Sequence, residues 1–131
     1  MAEIPEKFMD IISSKALASL ATTMADGSPQ VSPVWFSFDG NLIWVNSAEG
    51  RVKDKNVRRT RKVALAVVDL NNPYRHIAIR GDVVEITNDG ADDHIDSLAK
   101  KYLDEDKYPF RRDGEVRVIY KIQPERVATM G

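Results

Sequence analysis

The chain has 131 residues, 43% of them hydrophobic and 30% charged, with a net charge of −1, a composition that fits one globular domain with a real core and is too short for two. It has no cysteine, which excludes disulfides, thiolate metal sites, cysteine nucleophiles and iron–sulfur clusters. The near-neutral balance argues against general nucleic-acid affinity. No stretch approaches the roughly 18 apolar residues of a membrane span, and Met1–Glu6 lacks the basic and apolar segments of a signal peptide, so a cytoplasmic protein without nucleic-acid or membrane partners is expected.

Residues 3 to 14 predict an amphipathic helix, with Pro5 in its first turn and Ile4, Phe8, Ile11 and Ile12 on one face. Residues 15 to 24 read as a first strand, and the turn residues Asp26-Gly27 signal a hairpin. The second strand, 29 to 39, carries Val31, Pro33 and Trp35 on one face and Ser32, Val34, Phe36 and Phe38 on the other. Both faces are largely apolar, so one should enter a core and the other should meet a ligand, a helix or a second subunit. Pro29 and Pro33 cannot donate ladder hydrogen bonds, which predicts an edge or bulged strand. Pairing with a second copy is an economical cover for an apolar edge.

Asp39-Gly40 is a second hairpin signal and leads into a strand over 41 to 46. From Ser47 to Lys62 there are seven Lys and Arg residues against Glu49 and Asp54, a local charge of +5. This segment predicts a basic helix with almost no apolar face, solvated or in contact with something anionic. A strand that runs through Gly50 into a helix start is an anion site in outline. Ser47, Arg51, Lys53 and Asn56 are the candidates to converge on a phosphate, Arg with a planar fork and Lys with a point charge. Ser32, Pro33 and Val34 could then lie along a flat ring.

Residues 63 to 69 form a continuous apolar run, expected as a central strand covered on both faces. After a loop over 70 to 75, residues 76 to 87 read as a strand with a bulge at Gly81-Asp82. A helix is expected over 91 to 104, with Asp92, Asp93 and Asp96 in its first turns. The last strand, 116 to 122, places Val116, Val118, Tyr120 and Ile122 on one face and Arg117 and Lys121 on the other. Six strands joined mostly by hairpins, with three helices, predict a mostly β fold, a small closed antiparallel barrel in a single domain over 1–131.

The only histidines, His76 and His94, lack ligand spacing, so no metal is expected. His94 sits among acids on what reads as a solvated helix. No Gly-x-Ser-x-Gly elbow, P-loop or Gly-x-Gly-x-x-Gly occurs. If the protein is an enzyme, a bound cofactor carries the chemistry.

Leu20-Ala21-Thr22 with Asp26-Gly27, then Pro29-Gln30-Val31-Ser32-Pro33-Val34-Trp35-Phe36, then Arg51-x-Lys53-x-x-Asn56-x-x-Arg59 resembles the flavin/deazaflavin oxidoreductase family, over nearly the whole chain. The resemblance implies the six-stranded split β-barrel of pyridoxamine-phosphate-oxidase-like proteins and a homodimer with two cofactor sites at the subunit interface. It further implies a reductase that uses the deazaflavin coenzyme F420 to transfer a hydride to an electron-poor double bond of a small organic substrate. The cofactor phosphate would lie on Arg51 and Lys53, with Ser47 and Asn56 nearby. The ring would lie against Ser32, Pro33 and Val34, and Lys55 and Arg58 would be within reach of the acidic tail. FMN in the same fold is the alternative cofactor, and a non-catalytic cofactor- or anion-binding module is the alternative function. Oxidases of pyridoxamine phosphate carry a basic C-terminal segment, whereas the segment Gln123–Gly131 offers only Arg126, so activity on that vitamer is not expected.

Overall fold

A computed structural model describes residues 1–131. A 3-10 turn (Glu6–Phe8) runs into α1 (Met9–Ser13), followed by β1 (Ala18–Thr23), β2 (Pro29–Val34), β3 (Phe36–Phe38) and β4 (Ile43–Ala48). After α2 (Val52–Thr60) come β5 (Lys62–Val68), β6 (His76–Thr87), α3 (Ala91–Leu103) and β7 (Arg117–Met130). The seven strands form one antiparallel sheet in the order β2-β1-β5-β6-β7-β4-β3. Its two edges, β2 and β3, are consecutive in the chain and separated by Trp35 alone. The sheet therefore curls on itself, and the predicted split barrel is what the chain forms. No helix is long and apolar enough to cross a membrane.

Three boundaries differ from the sequence reading. The strand expected over 29 to 39 is two strands, because Trp35 turns the chain from one sheet edge to the other; this makes seven strands instead of six. The first helix is shorter than expected, since Pro5, with ψ of 133°, stays outside the helical region. The last strand ends at Met130, not at 122, because residues 126 to 130 continue the ladder with β6, from Arg80↔Arg126 to His76↔Met130. Pro124 hides this extension in the sequence. It faces Gly81 where the register shifts, so its missing N–H breaks no regular ladder. The bulge expected at Gly81 is thus present, and a second irregularity follows between Val83 and Glu85.

Alternation decides what fills the barrel. Leu20, Val34, Phe36, Val45, Leu65, Ile77, Ile79, Val118, Tyr120 and Ile122 point inward and are buried, and Phe8, Ile11 and Ile12 of the N-terminal segment close one end. β5 buries Val63, Leu65 and Val67 but leaves Ala64 and Ala66 half-exposed and Val68 exposed. Its second face, expected to be covered, is not covered by this chain. The same outer face carries Ala21, Ala78 and Ala128 beside Val31, which is 65% exposed.

The seam at Trp35 is closed by α3. The Tyr102 ring stacks on Trp35 at 5.3 Å between centroids, and its hydroxyl donates to the Ala16 carbonyl at 3.0 Å. Lys101 donates to the Phe36 carbonyl at 2.9 Å. A stacked aromatic pair contributes roughly 0.5–1.5 kcal/mol beyond its buried area, so the junction between the edges is pinned.

The β6–β7 register has a direct test. A Cβ at position 81 would stand 2.7 Å from Ile122 Cγ2 and 2.8 Å from the Gln123 carbonyl oxygen. Gly81→Ala should lower the unfolding free energy by about 1–3 kcal/mol, the range for overpacking, read as an earlier urea midpoint. An unchanged midpoint would contradict the close approach of β7 at the bulge.

Candidate functional site

β4 ends at Ala48, and Gly50 turns the chain with a left-handed φ of 88° before Arg51 opens α2. The helix that follows is not simply solvated. It buries Asp54, Asn56 and Val57, and two of those three anchors are polar. The Asp54 carboxylate accepts from the Tyr120 hydroxyl at 2.7 Å, the Gly50 N–H at 3.0 Å and Arg58 Nε at 3.1 Å. Burial works against its charge, but these donors outweigh it and hold the carboxyl below its ordinary range; the same burial and the nearby carboxylate raise the Tyr120 phenol. Asn56 donates to Thr22 Oγ1 at 3.1 Å and accepts from Arg59 at 3.1 Å. A segment without an apolar stripe is thus fastened to β7 and to β1 by hydrogen bonds, which fixes the direction in which Arg51 and Lys53 project.

Those two cations meet the seam. Pro33, Val34 and Trp35 form one wall of a cavity of about 180 Å³; Asn46, Arg51, Lys53 and Arg117 form a polar wall, and Ile95, Tyr108 and Phe110 close it. Tyr108 stands edge-on to Trp35 at 5.9 Å, and Phe110 edge-on to Tyr108 at 5.7 Å. Three larger hollows occur, of about 640 and 540 Å³ on the outer sheet face and of about 440 Å³ beside the N-terminal segment, but none contains any of the expected site residues.

The charges around the cavity are unequal. Glu115 bridges Arg51, at 3.3 Å, and Arg117, at 2.8 Å. Lys53, half-buried, has neither a salt bridge nor a hydrogen bond, and its pKa is lowered by burial and by the fields of Arg51 and Arg117.

Of the expected site residues, Pro33, Val34, Arg51 and Lys53 come together on this cavity. Ser32, their neighbour in β2, does not line the cavity; its hydroxyl is buried without a hydrogen-bond partner, as is that of Ser47. Ser47 is fully buried in β4 opposite Val118, and Asn56 is committed to Thr22 and Arg59; neither lines the cavity. Lys55 is exposed on α2, and Arg58 is engaged by Asp54 and Glu49. The sequence reading missed Trp35, Asn46, Ile95, Tyr108, Phe110 and Arg117 as wall residues. Tyr108-Pro109-Phe110, apolar within a charged loop, was the available signal for two of them. Arg117, which alternation puts on the polar face of its strand with Lys121, is 4% exposed.

His94 also departs from expectation, being buried at 7% exposure rather than solvated. Asn46 Oδ1 accepts from Arg117 Nε at 2.9 Å, and Asn46 Nδ2 donates to the Ala91 carbonyl at 2.9 Å, which fixes the amide orientation. Nδ2 therefore also donates to His94 Nδ1, at 3.1 Å, and the ring proton sits on Nε2, which donates to Ser37 Oγ at 2.9 Å. The imidazole cannot take the Ser37 proton, so this serine–histidine contact is structural. Burial and the nearby Arg117 and Lys121 push the His94 pKa down to about 4.

Residues 4–131 match the pyridoxamine 5'-phosphate oxidase family. Among solved structures, a protein named F420 reductase is 30% identical, with 95% of this chain and 98% of that chain covered and a TM-score of 0.86. A conserved hypothetical protein of Mycobacterium tuberculosis is 22% identical over 97% of this chain and 84% of that chain, with a TM-score of 0.74. HupZ of Group A Streptococcus is 23% identical over 96% and 93%, with a TM-score of 0.68. The last two identities speak for the fold alone.

The buried imidazole makes stability depend on pH. An unfolded histidine titrates at 6.5 and the folded one at about 4, so between these values the unfolded chain binds more protons. Stability is full above pH 6.5 and is lost as pH falls toward 4, by about 3 kcal/mol at 1.36 kcal/mol per unit. His94→Gln should flatten this part of the curve of unfolding free energy against pH. A variant with the wild-type slope would contradict the buried neutral ring.

Proposed function

Because the chain belongs to the pyridoxamine 5'-phosphate oxidase family, we propose that the seam cavity is a cofactor site and that the protein is a coenzyme F420-dependent reductase acting on a small organic substrate with an electron-poor double bond. The observation that carries this reading is Lys53: a half-buried ammonium without a counter-charge, facing the same cavity as the apolar Pro33 and Val34. A desolvated cation is costly unless an anion answers it, and a wall of proline and valine beside it suits the face of a flat ring. The residues present therefore fit a molecule with a phosphate at one end and a ring at the other. The likeness at 30% identity to a protein named F420 reductase, over nearly the full length of both chains, favours the deazaflavin over FMN.

In this reading Arg51 and Lys53 hold the phosphate, and Ser32, Pro33 and Val34 lie along the ring. Asn56 and Ser47 act from behind, Asn56 by tying α2 to Thr22 of β1. Trp35, Tyr108 and Phe110 keep water from the ring. A reduced deazaflavin supplies a hydride when bound, so the chain contributes binding, orientation and exclusion of water rather than a nucleophile.

The cavity of one protomer, about 180 Å³, is smaller than the roughly 300–1,000 Å³ of typical cofactor sites. A second copy of this chain completes it in our reading. The uncovered outer face, with Ala21, Ala64, Ala66, Ala78 and Val31, offers the close-packing surface for that homodimer. Sedimentation should then give twice the protomer mass of 14.7 kDa, and Ala66→Glu should give the protomer mass with the fold retained. A monomeric wild-type protein would contradict the interface.

Fluorescence titration with oxidised F420 and, in parallel, with FMN tests the cofactor assignment. F420 should bind preferentially, and Lys53→Ala should weaken that binding by about 1.5–3 kcal/mol, the range for a hydrogen bond to a charged group, with an unfolding midpoint of the free protein no lower than wild type. Preference for FMN would move the protein to the flavin branch, and wild-type affinity in Lys53→Ala would remove the phosphate assignment.

A further inference from the structure

Arg117 opens β7 opposite Ala48 of β4 and lies beneath the Tyr108 ring, its guanidinium 5.2 Å from the ring centroid. A guanidinium at this depth is expensive unless it is neutralised and its donors are satisfied. Its satisfaction here is incomplete. Nε is used by Asn46 at 2.9 Å and Nη1 by Glu115 at 2.8 Å, while Nη2 donates to no group of the chain. Glu115 is also shared, since Arg51 takes its other oxygen at 3.3 Å.

Glu115 is not on the cavity wall, whereas Arg51, Lys53 and Arg117 are. The carboxylate stands behind the two arginines and keeps them side by side despite their like charge. Three positive charges thus face one cavity with one negative charge behind them, an excess of two. The Asn46 amide, held by the Ala91 carbonyl and His94, fixes the Arg117 guanidinium about its Nε bond. A guanidinium held by its Nε and Nη1 bonds, with Nη2 open, presents a pre-aligned charged donor to an oxyanion.

We propose that Arg117 is a direct ligand of the anion in the seam cavity, so that the site takes a group with two negative charges: a phosphate monoester, or a phosphate diester with a neighbouring carboxylate. This rests on the reading of the cavity as the site of a phosphate-bearing cofactor. It adds to that reading a third cationic ligand from a different element, β7, and a charge requirement on the molecule bound.

Two pairs of probes separate a contact with the anion from a structural role: FMN against riboflavin, and F420 against the ribityl-deazaflavin that lacks its phosphate and acidic tail. Wild-type protein should bind the phosphorylated member of at least one pair more than tenfold tighter. In Arg117→Gln that ratio should fall at least tenfold while affinity for the phosphate-free member stays within twofold. Arg117→Lys, which keeps the charge and serves if the glutamine variant fails to fold, should lose part of the ratio because the ammonium is not held by Asn46 and Glu115 with a donor aimed at the cavity. Equal losses for both members of a pair would make Arg117 a structural residue and overturn the proposal, as would an unchanged ratio in both variants. Absence of any wild-type ratio in either pair would instead overturn the cofactor reading itself.

Discussion

Trp35 is the only residue between β2 and β3, and those strands are the opposite edges of one seven-stranded sheet. Much of the structure depends on this junction. Because the chain passes directly from edge to edge, the sheet must curl, and the inward residues Val34 and Phe36 on either side of the junction enter one core. Pro33 costs no ladder bond there, since an edge strand has a face of unpaired groups in any case. Tyr102 of α3 seals the seam by stacking on Trp35 and bonding to the Ala16 carbonyl. The cavity that gathers the cations lies against the outer side of this junction, so the constraint that closes the barrel also supplies the flat wall of the site.

The opposite wall is built on a different principle. α2 carries the cations that face the cavity, Arg51 and Lys53, yet has too little apolar surface to dock by burial alone. It docks instead through Asp54 to Tyr120 and through Asn56 to Thr22, with Val57 between them. A buried carboxylate is a poor source of net stability, but its directional bonds fix orientation, and removal of one partner leaves an uncompensated charge. The arrangement favours precision of the helix start over strength of its packing. Arg51 is further held by Glu115, which ties it to Arg117 of β7, so cations from two elements form one assembly.

The sequence made much of this legible, for identifiable reasons. Alternation marked the inward faces, and the prolines at 29 and 33 marked β2 as an edge. The Arg51-x-Lys53 spacing and the apolar Pro33-Val34 were expected to share one site, and they do line one cavity. What stayed hidden depends on contacts distant in the chain. The end of β7 reads as a tail because Pro124 is acceptable only opposite the bulge at Gly81. The burial of Arg117 is not read from alternation, and His94 reads as solvated, because local pattern carries no record of the loop that brings Tyr108 over the former, or of Asn46 and Ser37, which enclose the latter. The buried face of α2 was illegible for a related reason: its anchors are an aspartate and an asparagine, residues that a hydrophobic pattern assigns to solvent.

The central claim is that the seam and the start of α2 form one cofactor site, and a crystal structure of the protein grown with oxidised F420 tests it most directly. The account predicts the phosphate within hydrogen-bonding distance of Lys53 and Arg51 and the ring along Pro33 and Val34. A cofactor bound only in the hollows of the outer sheet face, with Lys53 left bare, would contradict it.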